Sequence, residues 1–120
     1  MTGPVAIVTA DLKAALATVD GAVATTDPGG TLAALPALVI GPPRLVWQTG
    51  CVEPTEARYL VWVVVDADER AIERLWDLVV EAGHAIDAYS DAVVIQADPA
   101  VFPSGTVQLP AYELQVEAPL

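Results

Sequence analysis

Apolar side chains recur at steps of three and four along the first part of the chain. Under that spacing Val5, Val8, Leu12, Leu16 and Val19 share one face of a helix. Residues 4–20 are therefore expected to form an amphipathic helix lying on a core. Pro4 suits its first turn, Thr2 or Gly3 can cap it, and Gly21 can end it. Residues 22–26 are expected as a short strand, followed by a turn signal at Asp27-Pro28-Gly29-Gly30. Residues 36–41 are a brief apolar run bounded by Pro36 and Gly41, the mark of a buried strand, which Pro42 and Pro43 stop or bend.

Residues 44–49 and 57–65 read as paired strands. The second is rich in β-branched and aromatic side chains. It becomes apolar on both faces toward its end, so it must be central or covered on both sides. The segment between them, residues 50–56, is longer than a tight hairpin needs and is a candidate contact loop. Asp66, Ala67, Asp68 and Glu69 open a second helix predicted to run to about Ala85, with Asp66 or Asp68 accepting backbone N–H groups at its start. Its predicted apolar stripe is Ile72, Leu75, Trp76, Val79 and Ile86. Arg70 and Arg74 each have acids three or four residues away, so local ion pairs are expected. Residues 92–96 read as a strand and 99–105 as a loop bearing Pro and Gly. Residues 112–117 alternate apolar and polar, as a strand with one buried face does. The order helix, strands, helix, strands, without a linker or repeat, makes an α+β fold in a single domain spanning residues 1–120.

Composition sharpens this picture. Hydrophobic residues make up 54% of the chain and charged residues 18%, against about 45–50% and about 25% in an ordinary soluble domain. Few charges remain to cover the surface, which favours burial of apolar patches by other subunits. Sixteen acids stand against five bases, for a net charge of −11. The bases, Lys13, Arg44, Arg58, Arg70 and Arg74, form no run. Affinity for nucleic acid rests mostly on Lys and Arg at phosphates, so direct binding is not expected. No apolar run approaches the roughly 20 residues that span a bilayer, and no basic leader precedes one; a soluble protein with no membrane partner is expected.

The search for chemistry is short. His84 is the one histidine and is expected as a surface or cap residue near a helix end. Cys51, the one cysteine, cannot form an internal disulfide and is expected as a packed, inert thiol. Asp66, Asp68 and Glu69 could offer oxygens to calcium or magnesium, but the EF-hand spacing is missing and a helix start explains them. Gly29 and Gly30 stand alone, without the spacing of a phosphate loop. No catalytic site, metal or cofactor is expected. Of three tryptophans, Trp62 and Trp76 are expected between sheet and helix, while Trp47, beside a loop, is the better interface candidate. The predicted protein interface is Arg44, Trp47, Cys51, Glu53, Glu56 and Arg58.

Residues 35–43, 57–65, 68–76 and 111–117 together resemble the small tail terminator proteins of long-tailed phages, especially those of actinobacteria. The resemblance covers nearly the whole chain in order and length. It implies a mixed, mainly antiparallel β-sheet with two α-helices packed against it. It implies a homo-oligomer, a hexameric ring that caps the tail tube, stops its polymerisation and joins it to the head–tail connector. Its partners would be the major tail tube protein and that connector, in the virion neck after assembly in the host cytoplasm. DNA would pass through the lumen without specific binding, past a wall whose acidity repels it. Alternative expectations are a neighbouring neck protein (tail-completion or connector), an acidic regulatory partner of a basic target, or a small enzyme or ligand-binding α+β domain.

Overall fold

The computed structural model describes residues 3–26 and 34–120. The element order is α1 (Pro4–Leu16), β1 (Val23–Thr25), β2 (Ala37–Ile40), β3 (Arg44–Val46), β4 (Glu56–Val64), α2 (Ala71–Tyr89), β5 (Val93–Ser104) and β6 (Val107–Pro119). The strands form one six-stranded sheet in the order β1-β2-β4-β6-β5, with β3 also pairing with β4. The β1–β2 pair is parallel and every other pair is antiparallel. The chain therefore has an α+β fold with a mixed, mainly antiparallel sheet.

β4 is the centre of this sheet. Its backbone pairs with β2 and β3 along one edge and with β6 along the other. Alternation along β4 sends Ala57, Tyr59, Val61 and Val63 into the main core, where α1 contributes Leu12 and Leu16 and α2 contributes Leu75, Leu78 and Ile86. Trp62 and Val64 point to the opposite face. There Phe102 and Leu109, from the far end of the β5–β6 hairpin, join Ala37, Val39 and Ala111 in a second, smaller cluster. Trp62 and Phe102 meet edge to face with ring centroids 5.7 Å apart, a favoured aromatic geometry. Trp62 thus lies on the sheet face away from the helices, not between sheet and helix as its sequence context implied.

Gly41 ends β2 where its N–H bonds to the Leu60 carbonyl at 3.0 Å, and a Cβ there would sit 3.4 Å from that same oxygen. Pro42 and Pro43 then shift the chain so that Ile40 faces Val61 but Arg44 faces Arg58. One extra residue is absorbed at the bend, and β3 continues along the same edge of β4.

α1 ends earlier than its spacing implies, at Leu16, but Val19 still closes the core from the turn beyond. Gly3 is its N-cap residue and Pro4 its first; the alternative cap, Thr2, and the turn signal at 27–30 lie outside the described residues. α2 differs in phase as well as in bounds. Its buried residues are Ala71, Leu75, Leu78, Ala82, Ala85 and Ile86. Ile72 and Trp76, expected inside, are 51% and 55% exposed. Size misleads here: alanines let α2 lie close to its neighbours, and the bulkier side chains are left outside. Asp68 acts before the helix, its Oδ1 accepting the Arg70 N–H at 2.8 Å in a turn, and Arg70 takes the N-cap position. The ion pair of Arg74 reaches back to Asp68 at 2.6 Å rather than to a helical neighbour.

The expected loop at 99–105 is instead the distal half of β5. Pro99 and Pro103 sit in a strand at the sheet edge, where a missing N–H leaves no ladder bond unmade. Gly105, with φ of 61°, leads the two-residue turn into β6, where hairpin geometry asks for positive φ. A bulge between Val94 and Gln96 adds Ile95 to β5.

Two outcomes test this packing. Leu75→Ala is expected to lower unfolding free energy by about 2–5 kcal/mol, whereas Ile72→Ala should change it by under about 1 kcal/mol, both read from urea denaturation. Equal losses would show that the helix is rotated from the described phase. The second test is Tyr59, whose hydroxyl shares a 2.7 Å hydrogen bond with the Thr9 hydroxyl of α1. Burial raises its pKa above the ordinary 10.0 by penalising the phenolate, while the Thr9 bond pulls the other way. The folded state holds this proton more tightly than the unfolded chain does. Its contribution is therefore fully present below the unfolded pKa and is lost as pH rises through the raised folded one. Tyr59→Phe should flatten the alkaline decline in the urea midpoint above about pH 10; an unchanged slope would exclude Tyr59 as its source.

Candidate protein interface

The six predicted interface residues all lie on the β3–β4 hairpin. Arg44 is on β3, Glu56 and Arg58 are on β4, and Trp47, Cys51 and Glu53 are in the connecting loop. The Thr55 N–H bonds to the Val46 carbonyl at 2.8 Å and closes the base of the loop, and the Cys51 N–H bonds to the Gln48 carbonyl at 3.0 Å in a turn within it. Trp47 donates its ring N–H to the Val52 carbonyl at 3.3 Å, so the ring is positioned although it is 52% exposed. Val52, not singled out from the sequence, is 95% exposed. Cys51 is exposed and free, contrary to the packed thiol expected of it.

At the base of the hairpin the strand register creates a charged row on the face opposite the helices. Arg44 lies directly across from Arg58, and Arg58 across from Glu117 of β6. The Arg58 Nε is 3.2 Å from Glu56 Oε2 and 3.4 Å from Glu117 Oε1. Arg44 makes no ion pair among the described residues. Like charges directly opposite destabilise a strand pair, so Arg44 sits where an acid would serve the fold better. Arg44 and Arg58 line a groove of about 490 Å³ with Pro42, Pro43, Leu60, Gln115 and Glu117.

Further along the same face, Leu60 stands beside Gln115 and Gln115 beside Gln96, then Trp62 beside Glu113 and Glu113 beside Asp98. The face thus passes from a basic corner through an acidic middle to the apolar hairpin end. The strict alternation of residues 112–117 put Gln115 and Glu117 on an exposed face. Which strand would bring Arg58 to them was a matter of pairing register, which no local pattern carries.

A second surface lies on α2. Ile72, Trp76 and Val80 follow at steps of four and are 51%, 55% and 57% exposed, so they form one apolar strip outside the core. Trp76 is tied to the sheet by a 2.9 Å hydrogen bond from its ring N–H to the Tyr112 hydroxyl. It was expected between sheet and helix and instead lies at the edge of that junction. Its apolar character was plain in the sequence; the phase of the helix was not. His84 is exposed on α2, as expected. Among the described residues, no group of three or more His, Cys, Asp or Glu is placed to hold a metal ion, and no helix is long and apolar enough to cross a membrane.

Replacing Arg44 by Glu converts a like-charge pair into an opposite one. The variant is expected to fold with an unchanged or higher urea midpoint, whereas Arg58→Glu, which leaves Glu56 and Glu117 facing a third acid, is expected to lower it. A midpoint lowered as much by the Arg44 change as by the Arg58 change would contradict the described register. No protein-family model matches the chain, and no curated protein matches it.

Proposed function

We propose that the chain is a structural protein of a phage tail neck, a tail terminator. Its copies form a hexameric ring that caps the tail tube, stops its polymerisation and joins it to the head connector. The observation that carries this reading is the distribution of exposed apolar side chains over separate parts of one small subunit. Ile72, Trp76 and Val80 mark the outer side of α2, Trp47 and Val52 mark the hairpin loop, and Val101 and Val107 mark the far end of β5–β6. A ring subunit needs unlike surfaces for its two neighbours and further ones for whatever lies above and below it. The extents of 50 × 29 × 25 Å also suit a subunit that reaches outward by a long hairpin. Sequence resemblance supplies the identification of the ring as a terminator. The net charge of −11 fits a channel wall along which DNA slides without adhering.

The deciding measurement is the mass of the purified protein across a concentration series, with negative-stain imaging, alone and with isolated tail tubes. Rings of six subunits, free or seated on tube ends, are the expected result. A protein that stays monomeric at every concentration and leaves tube ends uncapped would overturn the reading.

A further inference from the structure

We infer that the Arg44–Arg58 groove is the socket of a head-to-tail contact between copies of this chain, and that it receives Asp66 and Glu69 of the next copy. This rests on the ring reading above and names the contact that would build the ring.

The argument begins with repulsion. Each copy carries a net charge of −11, so a contact between copies needs a cation at its centre. Arg58 is held by Glu56 and Glu117, and Arg74 by Asp68. Lys13 lies in the last turn of α1, where a cation suits the helix dipole. The Arg70 side chain, like that of Lys13, makes no ion pair among the described residues, but Arg70 adjoins Asp68 and Glu69 in the chain. Of these three unpaired bases, Arg44 is the one with neither a helix end nor a neighbouring acid in the chain to account for it. It stands across from another arginine, lines a groove, and would serve the isolated fold better as an acid. A second copy's carboxylates explain why a cation stands there.

The same strand carries the complementary part. β4 begins at the groove and ends at the turn that holds Asp66 and Glu69. Both acids are exposed, and neither side chain makes an ion pair among the described residues. From Arg58 to Asp66 is about 26 Å at roughly 3.3 Å per residue, so basic socket and acidic plug sit at opposite ends of one strand. A surface at one end that fits the other end of an identical copy is a heterologous contact, the kind that closes into a ring when its rotation permits. An unrelated acidic partner would account for the socket alone and leave the plug without a use.

The test is a charge swap read as assembly mass by sedimentation over a concentration series, with tail tubes as template if the free protein does not assemble. Arg44→Glu should fold normally by circular dichroism and lose the assembled species. A second variant, Asp66→Lys with Glu69→Lys, should lose it too. An equimolar mixture of the two should regain it, because alternating copies restore opposite charges at every contact. Wild-type assembly by Arg44→Glu would overturn the socket and leave the ring reading standing. Loss in both variants without recovery in the mixture would overturn the pairing with a second copy. A wild-type protein that assembles neither free nor on tubes would overturn the ring reading and this contact together.

Discussion

The sheet depends on a strand that can be neither an edge nor a surface. β4 has apolar side chains on both faces over its last residues, with Val61, Val63 and Val64 fully buried, as is Val65 just beyond it. Such a strand must have backbone partners on both edges and cover on both sides. The partners are β2 and β3 on one edge and β6 on the other. The cover is α1 and α2 on one face and the Phe102–Leu109 end of the hairpin on the other. The length of β5 and β6 follows from this demand. A hairpin that stopped where β4 stops pairing, at Ala111, would leave Val64 and Trp62 without Phe102 and Leu109.

That arrangement also decides what remains exposed. The helices shield one face, and the end of the β5–β6 hairpin shields the apolar end of the other, so the unshielded part is the charged row of Arg44, Arg58 and Glu117, the neighbouring row of Leu60, Gln115 and Gln96, and the β3–β4 loop. The outermost long strand, β5, carries Pro99, Pro103 and a bulge at Ile95. Each of these interrupts a continuous row of free backbone groups and discourages another strand from adding there. Assembly through β5 is therefore disfavoured, and contacts through side chains at the ends of the strands and on α2 are favoured. The unpaired edge of β5 is the less suitable part of this molecule for that purpose.

What was legible in the sequence was whatever depends on local periodicity. Residues 36–41 and the later part of 57–65 announce buried strands by continuous apolar character, and residues 112–117 announce a half-buried one by alternation. The first helix follows from spacing alone. What was not legible depends on partners remote in sequence. Pro99 and Pro103 resemble loop residues until the strand holding them is known to be an edge. Ile72 and Trp76 resemble core until alanines at 71, 82 and 85 are seen to take the contact. The candidate interface divides in the same way. Arg44, Trp47, Cys51, Glu53, Glu56 and Arg58 were located by loop position, an exposed charge and an aromatic. The groove that Leu60, Gln115 and Glu117 complete depended on the β4–β6 register.

Under the proposed ring contact, the Arg44–Arg58 pair is where fold and assembly make opposed demands. A sequence that only had to fold would alternate charge across β3 and β4, as it does between Arg58 and Glu117. Four acids, Glu53, Glu56, Glu113 and Glu117, lie on the same hairpin or its β6 neighbour, so negative charge is abundant in that region. A cation without an ion pair among the described residues, set opposite another, departs from local consistency, and such departures concentrate at functional sites. The cost falls on an exposed pair where solvent screens most of it, so the fold tolerates the mismatch easily. In the proposed contact, a partner surface that excludes water strengthens the attraction of the Arg44 guanidinium for an incoming carboxylate, against the cost of desolvating both charges. In that proposed contact, a charge pattern that is slightly unfavourable alone and favourable on docking favours the assembled state without apolar surface at that corner. It does so in a protein whose overall charge otherwise keeps its copies apart.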